Sequence, residues 1–451
     1  MSSVASDPAV TSGAVRPALG RRFVVVWFGQ TISIVGSMVS GVGVAVYVYT
    51  QTGNAVWLGV LSALATLPQV LAAPLMTVVD RFPRRTTMIA GDCLAAVGPA
   101  IALSLAASGR LEIWHLCVAA FVGELGTAFQ SPAAQAAVPL LVDPDALGRA
   151  NGLVQMGPAI GIVVGPLLAA PLVGVGGITA VLVVDLVTFA VAVTSVTLTR
   201  FTDQHGAPAD EHAPGDSDGG WRPVLAWLNG PGRPLRTLIV VGSLVNGAAA
   251  LFNVAVLALA TSIGGTSRAG LPLAAIGVAM VVGSIVAGSR GVGPDRVGTF
   301  VTGLWVLGGG CVLVAARPHL AAVMLGGALA VSFLPLVNAA SATLFHERVP
   351  AAMHGRLFGL RAAIGGALYP AASALAGVLI AHVGSPLMDG PLAGTLGRLI
   401  GAGPERGAAL VVLVAGLAMA SIGCWLARSP IRDALRVQPA NRPDDHMFRP
   451  G

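Results

Sequence analysis

Lysine is absent from this chain, and all 26 basic residues are arginines. Charge of either sign is scarce, at 10% of 451 residues, where soluble globular proteins carry roughly 25%. So few charges cannot cover a water-facing surface, which excludes an ordinary soluble domain. Cysteines number four (Cys93, Cys117, Cys311 and Cys424), all inside apolar stretches and without metal-ligand spacing, so neither a disulfide framework nor a metal cluster is expected. The glycine-rich stretch "GVGPDRVG" carries no lysine and lacks a strand-to-helix setting, so ATP is not the expected energy source. No Ser/His/Asp arrangement appears, and the chain does not read as an enzyme. The formal charge of +6 is scattered over short connections without stacking aromatics, which excludes a nucleic-acid partner. The missing lysine itself reads as the compositional bias of a GC-rich, bacterial genome.

What the chain does have is apolar length. Hydrophobic residues make up 55% and mean hydropathy is +0.81. A membrane crossing needs roughly 20 apolar residues. That ruler gives twelve helices at 23–49, 57–79, 87–108, 113–138, 150–173, 177–199, 237–260, 271–289, 299–316, 319–343, 356–383 and 407–427. The segments lack the alternating polarity of barrel strands. The expected fold is therefore an all-α polytopic membrane protein. Its first apolar run is too long for a signal h-region and is retained as a crossing.

The connections set orientation. With the N-terminus inside, 21 of the 26 arginines fall on one face, among them Arg348, Arg356 and Arg361. Only Arg110, Arg268, Arg317, Arg398 and Arg406 fall on the other. The positive-inside rule places both termini in the cytoplasm of a multi-pass plasma-membrane protein. Five segments follow: a disordered N-terminus 1–22, a six-helix lobe 23–199, a cytoplasmic linker 200–236, a second six-helix lobe 237–427 and a tail 428–451. Within the linker, "WRPVLAWLNGPGRPLR" reads as a short helix on the membrane surface. The halves echo one another: "LGRANG" enters helix 5 as "HGRLFG" enters helix 11, and Asp80-Arg81 is matched by Asp295-Arg296. Parallel six-helix repeats point to a two-lobed transporter with a central cavity.

The stretches "WFGQTISIVGS" (27–37), "DRFPRR" (80–85), "VDPDALGRANGL" (142–153) and "LFHERVPAAMHGRLFGLR" (344–361) carry a family resemblance. Over roughly residues 21–430 the chain resembles the major facilitator superfamily, in the branch of enterobactin exporters and macrolide efflux pumps. The resemblance implies a major facilitator fold of two six-helix lobes. It also implies a gating turn at Asp80, Arg81, Arg84 and Arg85, with Met76 and Pro83 where the family pattern has glycine. Asp80 is placed to accept from the free N–H groups that open helix 11 near Gly355 and Arg356. Such a contact is worth about 0.3–2 kcal/mol, enough to bias two states without freezing either. Arg84 and Arg85 are expected to hold the loop on the cytoplasmic side. In helix 5, Gly157, Gly161 and Gly165 form a smooth face for close helix approach. With Pro166 they resemble the family's exporter signature, although Ala169 and Ala170 replace its final glycines; the match implies export.

Carboxyls inside a membrane are costly and mark function. Glu124 lies about 18 Å along helix 4 from Glu112 at 1.5 Å per residue, near mid-membrane. Desolvation disfavours the charged form, so a carboxyl there suits a cycle of protonation facing one compartment and release to the other. Glu124 is the first proton-coupling candidate, with Asp185 and Asp92 behind it in more structural roles. Ser37 stands where many relatives carry an acid. Gln30, Gln155, Asn246, Asn253 and Asn338 are candidates for the substrate cavity. The function expected is proton-driven export of small amphipathic molecules such as drugs, antibiotics or siderophores, by a monomer without cofactor or metal. An uptake permease of the same fold and a non-transporting membrane sensor remain alternatives.

Overall fold

The computed structural model describes residues 19–72, 82–143, 146–201, 222–291, 293–350 and 353–436. Asp80 and Arg81, most of the acidic linker, the first 18 residues and the last 15 lie outside the described residues. Apolar runs with no water to satisfy their backbone must close hydrogen bonds within each segment, and the chain does so with helices. The first lobe contains α1 (Arg21–Thr52), α2 (Ala55–Ala72), α3 (Arg84–Ala107), α4 (Ile113–Ala137) and α5 (Leu147–Leu198). A short surface helix follows, α6 (Arg222–Asn229). The second lobe contains α7 (Arg233–Arg268), α8 (Gly270–Arg290), α9 (Arg296–Ala316), α10 (Leu320–Ser332), α11 (Leu334–Arg348) and α12 (His354–Val378). A π-helical turn, Leu379–Gly384, and α13 (Ser385–Asp389) extend α12. Then come α14 (Leu396–Ile400), α15 (Gly407–Arg428) and α16 (Pro430–Arg436).

Ten runs among the described residues are long and apolar enough to cross a membrane. One of them, Arg149–Leu198, makes two crossings. Gly177 breaks α5 with φ 60° and ψ −158°, a conformation open to glycine because it has no Cβ. The α4 helix is long enough but polar at Glu124, Gln130 and Gln135, and supplies the twelfth crossing. Twelve helices thus form two six-helix lobes. The tenth crossing, read from sequence as one helix over 319–343, is two helices joined at Phe333. Pro335 lacks the N–H that a continuous helix would use there.

Within the first lobe α1 lies along both halves of α5, and α3 packs on α4. In the second, α9 packs on α10 and α15, and α7 on α12. Two seams join the lobes, α2 against α12 and α5 against α8. Each is tight at the end away from the chain termini. A Cβ on Gly59 would stand 2.5 Å from the Ser373 carbonyl and 3.0 Å from the Gly377 nitrogen. The Ser62 hydroxyl donates to Ser373 Oγ at 3.2 Å across the same seam. On the other, a Cβ on Gly277 would meet the Ile162 carbonyl at 2.7 Å.

Two turns along each seam toward the termini the packing loosens: a Cβ on Gly366 of α12 would meet only Val70 of α2, at 3.7 Å, and polar residues become exposed. Gln69 lies seven residues after Ser62, Gln155 seven before Ile162 and Ser284 seven after Gly277, and all three are exposed. Seven residues return to the same helix face. The lobes therefore pack most tightly at the end away from the termini and more loosely toward the termini, where exposed polar residues border a central cleft.

Candidate functional site

Polar side chains cluster on the helices that border the cleft. In the first lobe the Gln130 Nε2 amide donates to Gln30 Oε1 at 2.5 Å, and Gln30 Nε2 donates to Asp92 Oδ2 at 3.0 Å. This chain ties α4, α1 and α3 together, and Asp92 is only 3% exposed. Both Gln30 and Asp92 are thus occupied by one another.

A second cluster lies in the same lobe. Asp185, on the half of α5 after Gly177, is 4% exposed. It accepts from the Ser37 hydroxyl at 3.4 Å and also bonds Ser40. Those serines stand three apart on α1 and so share a face. Glu124, on α4, is half-buried, hydrogen-bonds the exposed Gln69 of α2 and lies within electrostatic range of Asp185. Of the three sequence-predicted acids, Glu124 is bonded to Gln69, Asp185 to Ser37 and Ser40, and Asp92 to Gln30.

The second lobe supplies a cavity of about 270 Å³ whose lining includes Ser243, Asn246, Asn338, Ser341 and Arg361. Asn253, two turns beyond Asn246 on the same face of α7, is hydrogen-bonded to the phenol of Tyr369. Gln155 lies on the exposed face of α5. The glycine stripe of α5 packs on α1: Cβ atoms on Gly157, Gly161 and Gly165 would each meet Thr31, Ile34 or Met38. The Pro166 carbonyl lies against Gly270 of α8 in the inter-lobe seam.

At the terminus end, Arg85 donates to the carbonyls of Val196 at 3.3 Å and Thr197 at 2.6 Å, capping the last turn of α5. Its role is to pin α3 to α5 within the lobe. Arg84 opens α3 beside it. Gly355 and Arg356 fall in the first turn of α12, with the Arg356 side chain outside the described residues. In the second lobe Asp295 caps α9 by accepting from the Gly298 N–H at 2.9 Å, and Arg296 pairs with Glu347 at 2.6 Å.

Two arginines that sequence reasoning assigned to solvent are placed otherwise. Arg406 is 4% exposed. Its Nε donates to the Ile400 carbonyl at 2.7 Å and its Nη2 to the Ala315 carbonyl at 2.6 Å, closing the ends of α14 and α9. Arg361, counted with the cytoplasmic connections, is a helical residue of α12 that lines the cavity, with its guanidinium 4.9 Å from the centroid of the Phe345 ring. The signal in the sequence was its place seven residues inside the helix that begins at His354.

Twelve crossings in two six-helix lobes joined along two seams, with carboxyls inside the first lobe, are the architecture of a multi-pass membrane protein. The sequence model of the Major Facilitator Superfamily matches residues 26–291, and the chain belongs to that family. Among curated relatives, macrolide efflux protein A of Streptococcus pyogenes is 31% identical over 180 residues, 40% of this chain and 44% of that protein. Macrolide efflux protein A of Enterococcus faecalis is 31% identical over 141 residues, 31% of this chain and 44% of that protein. The chain thus spans less than half the length of the curated relatives it matches. Among solved structures, a mutant of the nucleoside transporter NupG superposes with a TM-score of 0.67 at 9% identity, covering 90% of this chain and 100% of that one. A bacterial homolog of the human lysosomal transporter Spinster, inward-facing and unoccupied, gives 0.67 at 14% identity, covering 92% and 96%. These likenesses show the fold.

Proposed function

We propose that this transporter is a proton-driven exporter of small amphipathic molecules in a bacterial plasma membrane, with both termini cytoplasmic. The observation that carries the reading is Glu124, a half-buried carboxyl at mid-membrane depth, bonded to the cleft-facing Gln69 and paired electrostatically with Asp185. A proton entering from the outer side neutralises the Glu124 carboxylate, and its release to the cytoplasm restores the charge. A substrate displaced by the first event and rebound after the second moves against the proton.

The export direction draws support from the macrolide efflux relatives and from the small-residue face of α5. Arginine placement puts the loosely packed end of the cleft toward the cytoplasm, where an exporter collects its load. The gating role of Asp80, Arg81 and the first turn of α12 belongs to the same cycle, as a latch that holds only when the cytoplasmic end is shut.

The test uses inside-out vesicles with an imposed acidic interior and a radiolabelled panel of anionic, neutral and cationic amphiphiles, erythromycin included. A proton-driven exporter concentrates at least one member of the panel, and a protonophore abolishes the accumulation. Equilibration of a panel member without concentration would identify a facilitator. Concentration in right-side-out vesicles alone would identify uptake.

A further inference from the structure

We infer that the cavity in the second lobe is a subsite for an anionic group, a carboxylate or a phosphate, borne by the transported molecule. The inference rests on the transporter reading and names the substrate chemistry of its cleft. Arg361 lies about 10 Å into α12 by helical rise from His354, within the apolar run Gly359–Asp389. A guanidinium at such a place ordinarily extends along the helix to the headgroups. This one turns inward, over the face of Phe345, a residue that is 0% exposed. Among the described residues it makes no hydrogen bond and no ion pair. An arginine cannot shed its charge, and a charge held in an apolar lobe needs a counter-charge.

The neighbouring groups repeat the pattern. Asn246 and Asn338 line the same cavity, both exposed to it, and neither side-chain amide has a partner among the described residues. Ser243 spends its proton on the Ile239 carbonyl at 2.9 Å. Gly365, one turn beyond Arg361, has no side chain where a Cβ would come within 2.9 Å of the Asn246 Nδ2. That gap keeps the amide's N–H groups open to the cavity. The result is a positive fork with two amide donors facing one space, and a fork of this geometry binds a carboxylate or phosphate through paired N–H···O bonds. The cavity, about 270 Å³, falls below the size that holds a whole drug-like molecule. It takes one end of a substrate whose apolar remainder lies in the cleft. A macrolide, whose ionisable group is a basic amine, is a poor occupant, which separates this chain from its efflux relatives.

The test is thermal unfolding of the purified full chain in detergent with three isosteric probes, benzoate, benzamide and benzamidinium, each titrated to tens of millimolar. Benzoate is expected to raise the midpoint most and benzamidinium least. The preference should vanish in Arg361→Gln and return at least partly in Arg361→Lys, which keeps the charge. Asn338→Leu should weaken benzoate several-fold and leave benzamidinium unmoved. An absent preference in the wild type, or one that survives Arg361→Gln, overturns the subsite. If that happens while vesicles still concentrate a neutral or cationic panel member, only the subsite falls and the exporter reading stands. A benzoate preference in a protein that concentrates nothing removes the exporter reading and leaves the anion site.

Discussion

Replacing Gly59 with alanine should tilt the balance between the transporter's two states, because the added methyl clashes in only one of them. In the structure its Cβ would stand 2.5 Å from the Ser373 carbonyl oxygen, 3.0 Å from the Gly377 nitrogen and 3.1 Å from the Ala374 carbonyl oxygen. Even a close C–H···O contact keeps carbon and oxygen about 3.3–3.6 Å apart, so α2 and α12 must separate by about 1 Å. All three obstacles are backbone, which cannot turn aside as a flexible side chain can. Overpacking of this kind costs about 1–3 kcal/mol. When the lobes part at this end the clash disappears, so nearly the whole cost falls on the state described here. A differential of that size shifts a two-state equilibrium about 5- to 150-fold.

The assay is a spin-label distance measurement between Gln51 and Leu399, exposed residues of opposite lobes at the closed end, with the four native cysteines replaced. Gly59→Ala should move population from the short distance to a longer one. Gly41→Ala is the control, since a Cβ there meets nothing within 4 Å. A Gly59→Ala distribution indistinguishable from that of Gly41→Ala would refute the reasoning.

Three further outcomes are expected. Glu124→Gln should cut gradient-driven accumulation in inside-out vesicles at least ten-fold while leaving substrate binding to purified protein near wild type, because a neutral amide holds Gln69 but carries no proton. Gln30→Leu should lower thermal stability by about 1–3 kcal/mol, since it strands both the buried Asp92 carboxyl and Gln130; Gln155→Leu, at an exposed site, should not. Arg348→Ala should free α16, whose Ala434 and Leu435 carbonyls accept from that guanidinium, and hasten trypsin cleavage at Arg432 and Arg436 about ten-fold or more, given about 1.5–3 kcal/mol for hydrogen bonds to charged groups.

The crossings were legible because lipid makes each one pay in apolar length, and that quantity is local. The length ruler put the end of helix 5 at 173 and the start of helix 6 at 177, and Gly177 is where the backbone turns. The split of the tenth crossing hinges on Pro335, which a long apolar window averages away. Side-chain fates were less legible. Gln30 and Asn246 are both polar residues in apolar helices. One is consumed by Asp92 and Gln130, whereas the other faces open space, and only the packing of distant helices decides between them. Arg406 sits in "GAGPERG", which reads as a solvent loop. Its burial is set by carbonyls at Ala315 and Ile400 that converge through the fold. Arg361 had the spacing of a helix residue, yet a helix apolar all round does not announce which face meets the cleft.

The Ser62–Ser373 contact offers the most direct measurement of whether the two lobes must part for transport. With both changed to cysteine in a cysteine-free background, the 3.2 Å contact between their side-chain oxygens places the thiols to oxidise across the seam with modest adjustment. Oxidised protein in vesicles should lose accumulation of every panel substrate and recover it on adding reductant, with each single cysteine variant unaffected. Undiminished accumulation by fully crosslinked protein would contradict alternating access through this cleft.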